Sequence, residues 1–266
     1  MNSNPDWNPV LIDPTARIAA DARIGSNVKI GPWSIVGPGV EIGDGCEIAS
    51  HVVLKGPTKL GRRNRIFQFA SVGEDPSDKK FHGEASWLEM GDDNIIREGA
   101  TIHRGTEVGG NITRIGSRNL FMPYTHVAHD CIIGNDTIFS NNAAISGHVI
   151  VDDWAILGGY AGVYQFLRIG AHAFIGGQTH VNMDVPAFVM VNGNPPEAKG
   201  INVTGLERRG FSKDAIRALR KAYKILYRDG NTVDAALAQM QELVADTPEV
   251  ATLIASVRAS GKGILR

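Results

Sequence analysis

The chain lacks long apolar runs, an amino-terminal export signal and an excess of positive charge. No stretch approaches the roughly 20 apolar residues that a membrane-spanning helix needs, and the start of the chain has no signal-peptide pattern. We therefore expect a soluble, cytoplasmic protein without stable membrane insertion. The net charge is −1, and basic residues are not interleaved with aromatic ones, so we expect no nucleic-acid partner.

An aliphatic or phenylalanine residue recurs at every sixth position through most of the chain. One run extends from Ile12 to Val72 and a second from Ile115 to Val181. A period of six fits neither an α-helix nor a lone alternating strand, so it indicates a repeat architecture. We interpret it as a parallel β-helix in which three hexads close one triangular coil. About nine such coils, stacked at the strand spacing, would stand roughly 43 Å tall.

Two further positions of the hexad have a consistent composition. The residue after the aliphatic one is often glycine, and we expect it to supply the backbone freedom that a corner requires. The fifth position is small or slender, and it includes the only two cysteines, Cys46 and Cys131. We interpret both as buried structural thiols rather than as redox or metal-binding groups.

The hexad register is interrupted at 74–89 and at 108–114, which we predict to be loops outside the prism. Long loops in a tightly stacked solenoid are often functional. The repeat ends near Asn192, so we divide the chain into a β-helix at 1–192 and a helical domain at 193–266. Ser212, Thr232 and the Thr247-Pro248 pair are predicted to open helices.

Charge is distributed unevenly between these two parts. The chain has a formal charge of −5 before residue 193 and +4 after it. Basic residues concentrate at 207–230, where they outnumber acidic ones by eight to three. This segment is either a solvated helix face or a binding surface for an acidic partner or a phosphate.

Histidines are densest in the segment HVAHDC at 126–131. His129 precedes Asp130, a carboxylate that could orient the imidazole ring. Coil arithmetic places His148 on the next coil near His129, with Tyr164 and Gln165 one coil further. The stripe is compatible with a catalytic base, with exposed histidines or with a metal site.

Seven segments spread over the chain carry a resemblance to a known family. The most specific are HVAHDC (126–131), SGHV (146–149) and RRGFS (208–212), in that order; the others are IGPWSIVGPGVEIGDG (30–45), IFQFASVGE (66–74), TIHRGT (101–106) and VDDWAILGG (151–159). With them the chain resembles the hexapeptide-repeat UDP-N-acetylglucosamine O-acyltransferases that begin lipid A biosynthesis. The resemblance implies an all-β left-handed parallel β-helix, a C-terminal α-helical domain and a homotrimer with active sites between subunits.

The resemblance also implies a reaction and the residues that carry it. A 3-hydroxyacyl chain would move from acyl carrier protein to the 3-hydroxyl of UDP-N-acetylglucosamine, with no cofactor and no metal. His129 would be the general base, Asp130 would orient it and the Gly147 N–H would stabilise the oxyanion. The substrate-binding residues implied are Asp78 and Lys80 for the sugar, His126 and His148 for positioning, Gln165 near the acyl chain, Gly177 as the position that limits the length of that chain, and Asn202, Arg208 and Arg209 for the nucleotide and pyrophosphate. Tyr164 and Phe174 are also expected to bind substrate. The basic 207–230 segment would face the acidic carrier protein.

Four positions depart from the family pattern: Ser77, Tyr164, Pro195 and Thr204 stand where glutamine, histidine, histidine and glutamate are common. They leave open an acceptor that carries a 3-amino group in place of the hydroxyl. Three rival functions also remain at this point: the N-acyltransferase that acts later in the same pathway, a β-helical zinc carbonic anhydrase, and a non-catalytic scaffold. The N-acyltransferase carries a uridine-binding domain before its repeats, which we do not expect here because the repeats start by Ile12.

Overall fold

Short parallel strands wind around three sheets through most of the chain. The computed structural model describes residues 11–266, so the first ten residues of the predicted 1–192 unit lie outside the described part. Each strand pairs with a strand on the following coil, usually 18 residues later, as Ile138 does with Ile156. This is a parallel β-helix with the coil length that the repeat predicts.

Within residues 11–266 the three sheets contain nine, eight and ten strands. The strands of the first sheet are Arg17–Ile18, Ile35–Val36, Val53–Leu54, Ser71–Glu74, Thr101–His103, His126–Val127, Ala144–Ile145, Gly162–Val163 and His180–Val181. Those of the second are Arg23–Ile24, Val40–Ile42, Thr58–Leu60, Trp87–Met90, Ile112–Ile115, Ile132–Ile133, Ile150–Val151 and Arg168–Ile169. Those of the third are Lys29–Ile30, Glu47–Ile48, Arg65–Ile66, Ile95–Ile96, Leu120–Phe121, Ile138–Phe139, Ile156–Leu157, Phe174–Ile175, Val189–Asn192 and Glu197–Ile201.

The corners between sheets are two-residue turns that stack from coil to coil. Corner 1 joins the first sheet to the second, corner 2 joins the second to the third, and corner 3 joins the third to the first. The second turn residue takes the left-handed conformation, with φ of 61° at Asp130, 63° at His148 and 64° at Phe166 along corner 1. These three side chains therefore project from equivalent points on adjacent coils.

The glycines that follow the aliphatic residues do not have the role expected from the sequence. Except at Gly73, where φ is 81°, the positive φ lies two positions later and mostly at residues other than glycine. A Cβ on Gly43 would lie 2.5 Å from the Gly61 carbonyl oxygen, and one on Gly116 would lie 2.4 Å from that of Gly134. The prediction that these glycines turn the corner is wrong: glycine is needed there because the next coil leaves no room for a side chain.

The recurring aliphatic side chains fill the interior, which is also where both cysteines lie. Leu54, Ile102 and Ile175 have no exposed surface. The thiols of Cys46 and Cys131 are buried and unpaired in disulfides, and each donates to a backbone carbonyl at 3.2 Å. Burial raises the pKa of Cys131 to about 12, so this thiol is neutral near pH 7, as expected of a structural residue.

A ladder of buried amides, which sequence analysis did not anticipate, joins four coils at the small inward position. The Asn94 side chain donates to Asn64 Oδ1 at 3.0 Å, and its own Oδ1 accepts from the Asn119 backbone N–H at 2.9 Å. Asn119 Oδ1 in turn accepts from both donors of Thr137. The ladder satisfies polar groups that would otherwise be costly to bury.

Two segments leave the prism, and both leave from corner 1. They occupy 75–86 and 104–111, and the second contains a short 3-10 helix at Glu107–Gly109. The predicted bounds of 74–89 and 108–114 are therefore wrong at their ends. Trp87–Met90 and Ile112–Ile115 are strands of the second sheet and pair with each other; each follows a loop that breaks the hexad register, and this concealed them in the sequence.

The last parallel strand is followed by a hairpin strand and four helices. Glu197–Ile201 pairs antiparallel with Val189–Asn192, so the prediction that residues 193–266 are all helical is wrong at their start. The helices are α1 (Val203–Arg208), α2 (Lys213–Tyr227), α3 (Val233–Gln241) and α4 (Glu249–Arg258). Ser212 and Thr232 cap α2 and α3 as predicted, whereas α1 was not foreseen. Among the described residues no helix is long and apolar enough to cross a membrane.

Candidate active site

The two loops and three successive turns of corner 1 enclose a cleft of about 620 Å³. This volume is in the range of sites for small molecules. Its wall is formed by His126, Ala128 and His129 on one coil, Ala144 to His148 on the next, Gln165 and Phe166 on the third, and by Ser77 to Lys80, Thr106 and Val108 of the loops. The cleft thus joins residues that are far apart in the sequence.

His129 and Asp130 form the two-residue turn at the centre of this wall. Their side chains are joined by a hydrogen bond of 2.7 Å between His129 Nδ1 and Asp130 Oδ2. Because an ionised carboxylate only accepts hydrogen bonds, Nδ1 is the nitrogen that donates here, and in the neutral imidazole Nε2 is then the unprotonated nitrogen. The arrangement suits a general base that takes a proton at Nε2.

Asp130 is held by the second loop from the opposite side. Thr106 donates to it twice, from its backbone N–H at 2.7 Å and from its hydroxyl at 2.6 Å. Burial by itself would raise the pKa of Asp130, but the hydrogen bonds from His129 and Thr106 outweigh it and lower the pKa below the ordinary value. The carboxylate therefore stays ionised and keeps the His129 ring in one tautomer and orientation.

Gly147 lies directly over the His129 ring on the next coil. A Cβ at this position would be 2.5 Å from His129 Cε1 and 2.8 Å from Nε2. Within residues 11–266 the Gly147 N–H makes no hydrogen bond, as is also true of the equivalent turn residues Gly159 and Gly177. The cleft wall thus carries an N–H without a protein partner on the residue that faces the His129 ring.

His148 and Phe166 continue the stack above Asp130. The His148 Nε2 lies 3.6 Å from Asp130 Oδ2, and its ring stacks on that of Phe166 at 4.3 Å between centroids. Burial lowers the pKa of His148, although Asp130 opposes this. The predicted stripe named Tyr164 on the third coil, but Tyr164 is 59% exposed and does not line the cleft; Phe166, which sequence analysis missed, occupies that place because it is the equivalent turn residue.

His126 lies on the same coil as His129, in the two-residue strand before the turn, and is mostly enclosed. Its Nδ1 is 2.7 Å from the Thr101 hydroxyl, and its ring meets that of His103 edge to face at 5.0 Å. Burial lowers the pKa of His126, and burial together with His126 lowers the pKa of His103 to about 4. Both imidazoles are therefore suited to hydrogen bonding in the neutral form.

The first loop places Asp78 and Lys80 at the rim of the cleft. Ser77, one of the four positions that differ from the family pattern, lies beside them. The Ser77 backbone N–H donates to His103 Nδ1 at 3.3 Å, so the loop is attached to the buried histidine pair. The sequence-predicted residues that meet in this one cleft are Asp78, Lys80, His126, His129, Asp130, Gly147, His148 and Gln165.

The remaining predicted residues lie elsewhere on the chain. Gly177 is in a turn of corner 3, and Phe174 is on a strand of the third sheet. Arg208 ends α1 and is exposed. Within one chain these residues do not join the cleft at corner 1.

Asn202 and Arg209 lie at corner 2, where both make structural contacts. The Asn202 side chain accepts from the Gly205 N–H and donates to the His172 carbonyl. Arg209 donates to the Trp154 carbonyl at 2.9 Å, approaches His172 Nδ1 at 3.2 Å and lies over the Trp154 ring. Burial and the nearby Arg209 lower the pKa of His172 to about 4. The contacts fix α1 against the prism.

The donor atoms of His129, Asp130 and His148 lie within 4.8 Å of one another, as in a three-ligand metal site. The Asp130 carboxylate, however, already accepts three hydrogen bonds, from His129 and twice from Thr106. Both oxygens are thus already engaged, and only about one of their four lone-pair positions is left for a metal ion. The donor set therefore matches a hydrogen-bonded relay better than the zinc site of the rival hypothesis.

Comparison with known proteins first defines the class. The family model for bacterial transferase hexapeptide repeats matches residues 21–56 and 112–147. A second model, for domain 2 of UDP N-acetylglucosamine O-acyltransferase, matches residues 184–265. The chain thus combines hexapeptide repeats of the transferase type with a C-terminal part similar to domain 2 of UDP N-acetylglucosamine O-acyltransferase.

Similar whole chains identify the family. The acyl-(acyl-carrier-protein)–UDP-N-acetylglucosamine O-acyltransferase of Stutzerimonas stutzeri is 57% identical over 80% of this chain and 82% of its own. The LpxA structure from Acinetobacter baumannii superposes with a TM-score of 0.94 at 48% identity, covering 96% of this chain and all of that one. That of Moraxella catarrhalis gives 0.94 at 44% identity, covering 96% and 100%. The chain belongs to the acyl-(acyl-carrier-protein)–UDP-N-acetylglucosamine O-acyltransferase family. The predicted fold class, a left-handed parallel β-helix followed by C-terminal helices, is confirmed.

Proposed function

We propose that this protein transfers a 3-hydroxyacyl chain from an acyl carrier protein to the 3-hydroxyl of UDP-N-acetylglucosamine, the first step of lipid A biosynthesis. Relatives at 56–57% identity carry the corresponding name. The observation that carries the proposal for this chain is the His129–Asp130 pair, with its free Nε2 directed into the cleft under Gly147. The names of these relatives do not favour a zinc carbonic anhydrase, a non-catalytic scaffold or an acceptor with a 3-amino group.

In the proposed reaction the hydroxyl oxygen of the sugar attacks the thioester carbonyl, and His129 Nε2 takes the hydroxyl proton. A positioned base of this kind contributes about 10²–10⁴ in rate. The tetrahedral intermediate then expels the thiolate of the carrier's prosthetic group, which recovers the proton from His129. Asp130 contributes by fixing the ring and stabilising the imidazolium that forms between these two transfers.

The negative charge on the former carbonyl oxygen requires a donor near the base, and the Gly147 N–H is the best candidate. It is buried at the cleft wall and has no partner among residues 11–266. A single preorganised donor is worth roughly 3 kcal/mol in the transition state. His126 and His148, which are adjacent to the base, would position the two substrates, Gln165 would contact the acyl chain, and Asp78 and Lys80 would contact the sugar from the rim.

The complete site is proposed to form between subunits of a homotrimer. One chain contributes the base from corner 1. Asn202, Arg208 and Arg209 of the same chain lie near corner 2 and do not line that cleft. A neighbouring subunit whose corner 2 faces corner 1 would supply them to the nucleotide, and a cyclic assembly repeats this contact at every interface. The acidic carrier protein would approach the basic segment 207–230.

The experiment that tests this function replaces His129 by alanine. We expect His129→Ala to keep the assembly and its thermal stability but to lose nearly all acyl transfer, measured with 3-hydroxyacyl carrier protein and UDP-N-acetylglucosamine. Arg208→Ala should weaken binding of the nucleotide sugar. Unchanged turnover in His129→Ala would reject the assignment of the base.

Coexpression of the two variants tests the shared site. If base and arginine come from different subunits, mixed assemblies of His129→Ala and Arg208→Ala chains regain about a quarter of their sites, because random mixing places the two intact residues together that often. Activity that stays at the level of the separate variants would contradict a site between subunits. A trimeric mass in solution is the accompanying requirement.

A further inference from the structure

The loop at 75–86 has to be held over the cleft, and one buried side chain contacts both of its ends. The Arg104 guanidinium is only 7% exposed. It donates to the Gly73 carbonyl at 2.6 Å and to the Asp75 carboxylate at the start of the loop. Its Nε donates to the hydroxyl of Ser86, at the end of the loop, at 3.4 Å. A planar guanidinium fork is suited to span several acceptors in this way, whereas an ammonium is not.

Asp75 links this arginine to a second cation on the coil below. Its other carboxylate oxygen accepts from Lys55 Nζ at 2.7 Å, and Lys55 also donates to Glu74. The hydrogen bond from Lys55 is the main reason that the pKa of Asp75 lies below its ordinary value. Two cations and two anions thus compensate one another at the base of the loop, which limits the cost of burying the guanidinium.

Arg104 also begins the second loop, which holds Asp130. The Gly105 backbone N–H donates to the Trp87 carbonyl just beyond the first loop, and Thr106 makes the two hydrogen bonds to Asp130. The two loops are therefore attached to each other at Arg104 and Gly105. Thr106, which holds the Asp130 carboxylate, follows directly in the chain. Neither Arg104 nor Asp75 lines the cleft.

We propose that Arg104 is a positioning residue that fixes the loop 75–86, and with it Asp78 and Lys80, over the His129 cleft before the nucleotide sugar binds. This inference rests on the proposed function for the role of the two loop residues. A loop ordered in advance loses less conformational entropy when substrate binds, so the clamp acts on the affinity for the acceptor. It acts less on the proton transfer at His129, which Thr106 and Asp130 maintain separately.

The test is Arg104→Lys, which keeps the charge but cannot span both ends of the loop. We expect faster amide hydrogen exchange across 75–86 and faster tryptic cleavage after Lys79 or Lys80 in the protein without substrate. We expect the KM for UDP-N-acetylglucosamine to rise by about tenfold to a hundredfold, as for loss of hydrogen bonds to a charged group, with a much smaller change in kcat. Arg114→Lys, on an exposed arginine of the adjoining strand, is the matched control and should change none of these.

Asp75→Asn provides a second route if Arg104→Lys fails to fold, because it weakens the same contacts from a partly exposed residue. It should give the same loosening of the loop and the same rise in KM. Unchanged exchange and unchanged KM in both variants would overturn the proposal, as would a loss of kcat and thermal stability at constant KM. Exchange and proteolysis require no catalysis, so the clamp can be judged even if His129→Ala shows that the assignment of the base is wrong.

Discussion

Replacing Gly147 by alanine tests whether coil stacking sets the position of the base. The new methyl group would lie 2.5 Å from His129 Cε1, whereas ordinary contacts of a Cβ begin near 3.4 Å. The ring must therefore move by about 1 Å, and displacements of this size cost about a hundredfold in rate. Because Nδ1 is tied to Asp130 at 2.7 Å, the movement tilts Nε2 away from its place under the Gly147 N–H, which the variant retains.

The assay is kcat/KM for acyl transfer, with thermal unfolding as the check on folding. Gly159→Ala is the matched control, since Gly159 has the same hexad position at corner 3 and its Cβ would meet nothing closer than 3.5 Å. We expect Gly147→Ala to lose about two orders of magnitude in kcat/KM, in line with a misplaced catalytic group, and Gly159→Ala to lose almost none. A folded Gly147→Ala variant with wild-type kcat/KM would refute the proposed contact between ring and turn.

Two further predictions concern chain length and acid stability. Gly177→Met should shift the products from mixed-length donors towards shorter acyl chains, measured by mass spectrometry; a retained preference for long chains would contradict its role as a length limit. His103 and His172 have a pKa of about 4 in the fold, below the ordinary value of 6.5, so the unfolded chain takes up their protons first as pH falls. The free energy of unfolding should therefore decline between about pH 6.5 and pH 4, by on the order of 3 kcal/mol per group, and His103→Gln should reduce that slope in urea titrations; an unchanged slope would contradict the buried neutral state.

The repeat could be predicted from sequence because each coil imposes the same steric demand. An aliphatic side chain is required every six residues wherever three sheets enclose one narrow interior. The position of Ile30 or Ile145 in the hexad is therefore enough to predict that its side chain points inward. The hairpin strand at Glu197–Ile201 could not be found in this way because it is antiparallel to its partner and lies outside the hexad repeat. Helix α1 could not be found because its contacts are with residues far earlier in the chain, at Trp154 and His172. The same holds for the amide ladder through Asn94, whose members lie at positions where the sequence suggested only small side chains.

The site was partly accessible from the sequence for the same geometric reason. The 18-residue coil correctly placed His129, His148 and Gln165 on one wall, but Tyr164 was assigned to it in error. The missing information was the direction of each side chain: the left-handed turn residue projects along the corner, and in the third coil that residue is Phe166. The contribution of Thr106 could not have been inferred either, because a loop of irregular length brings it to Asp130.

The constraint that makes the prism regular also supplies the precision that the chemistry needs. Coils stack at the inter-strand spacing of about 4.8 Å, and the buried interior leaves that spacing no freedom. The His129 ring therefore meets the backbone of the next coil, and it does so without collision because the facing residue has no side chain. That residue is Gly147, so the strand spacing sets the separation of the proposed base and the proposed oxyanion donor. In the proposed reaction the loops of corner 1 then need only orient the base and hold the sugar.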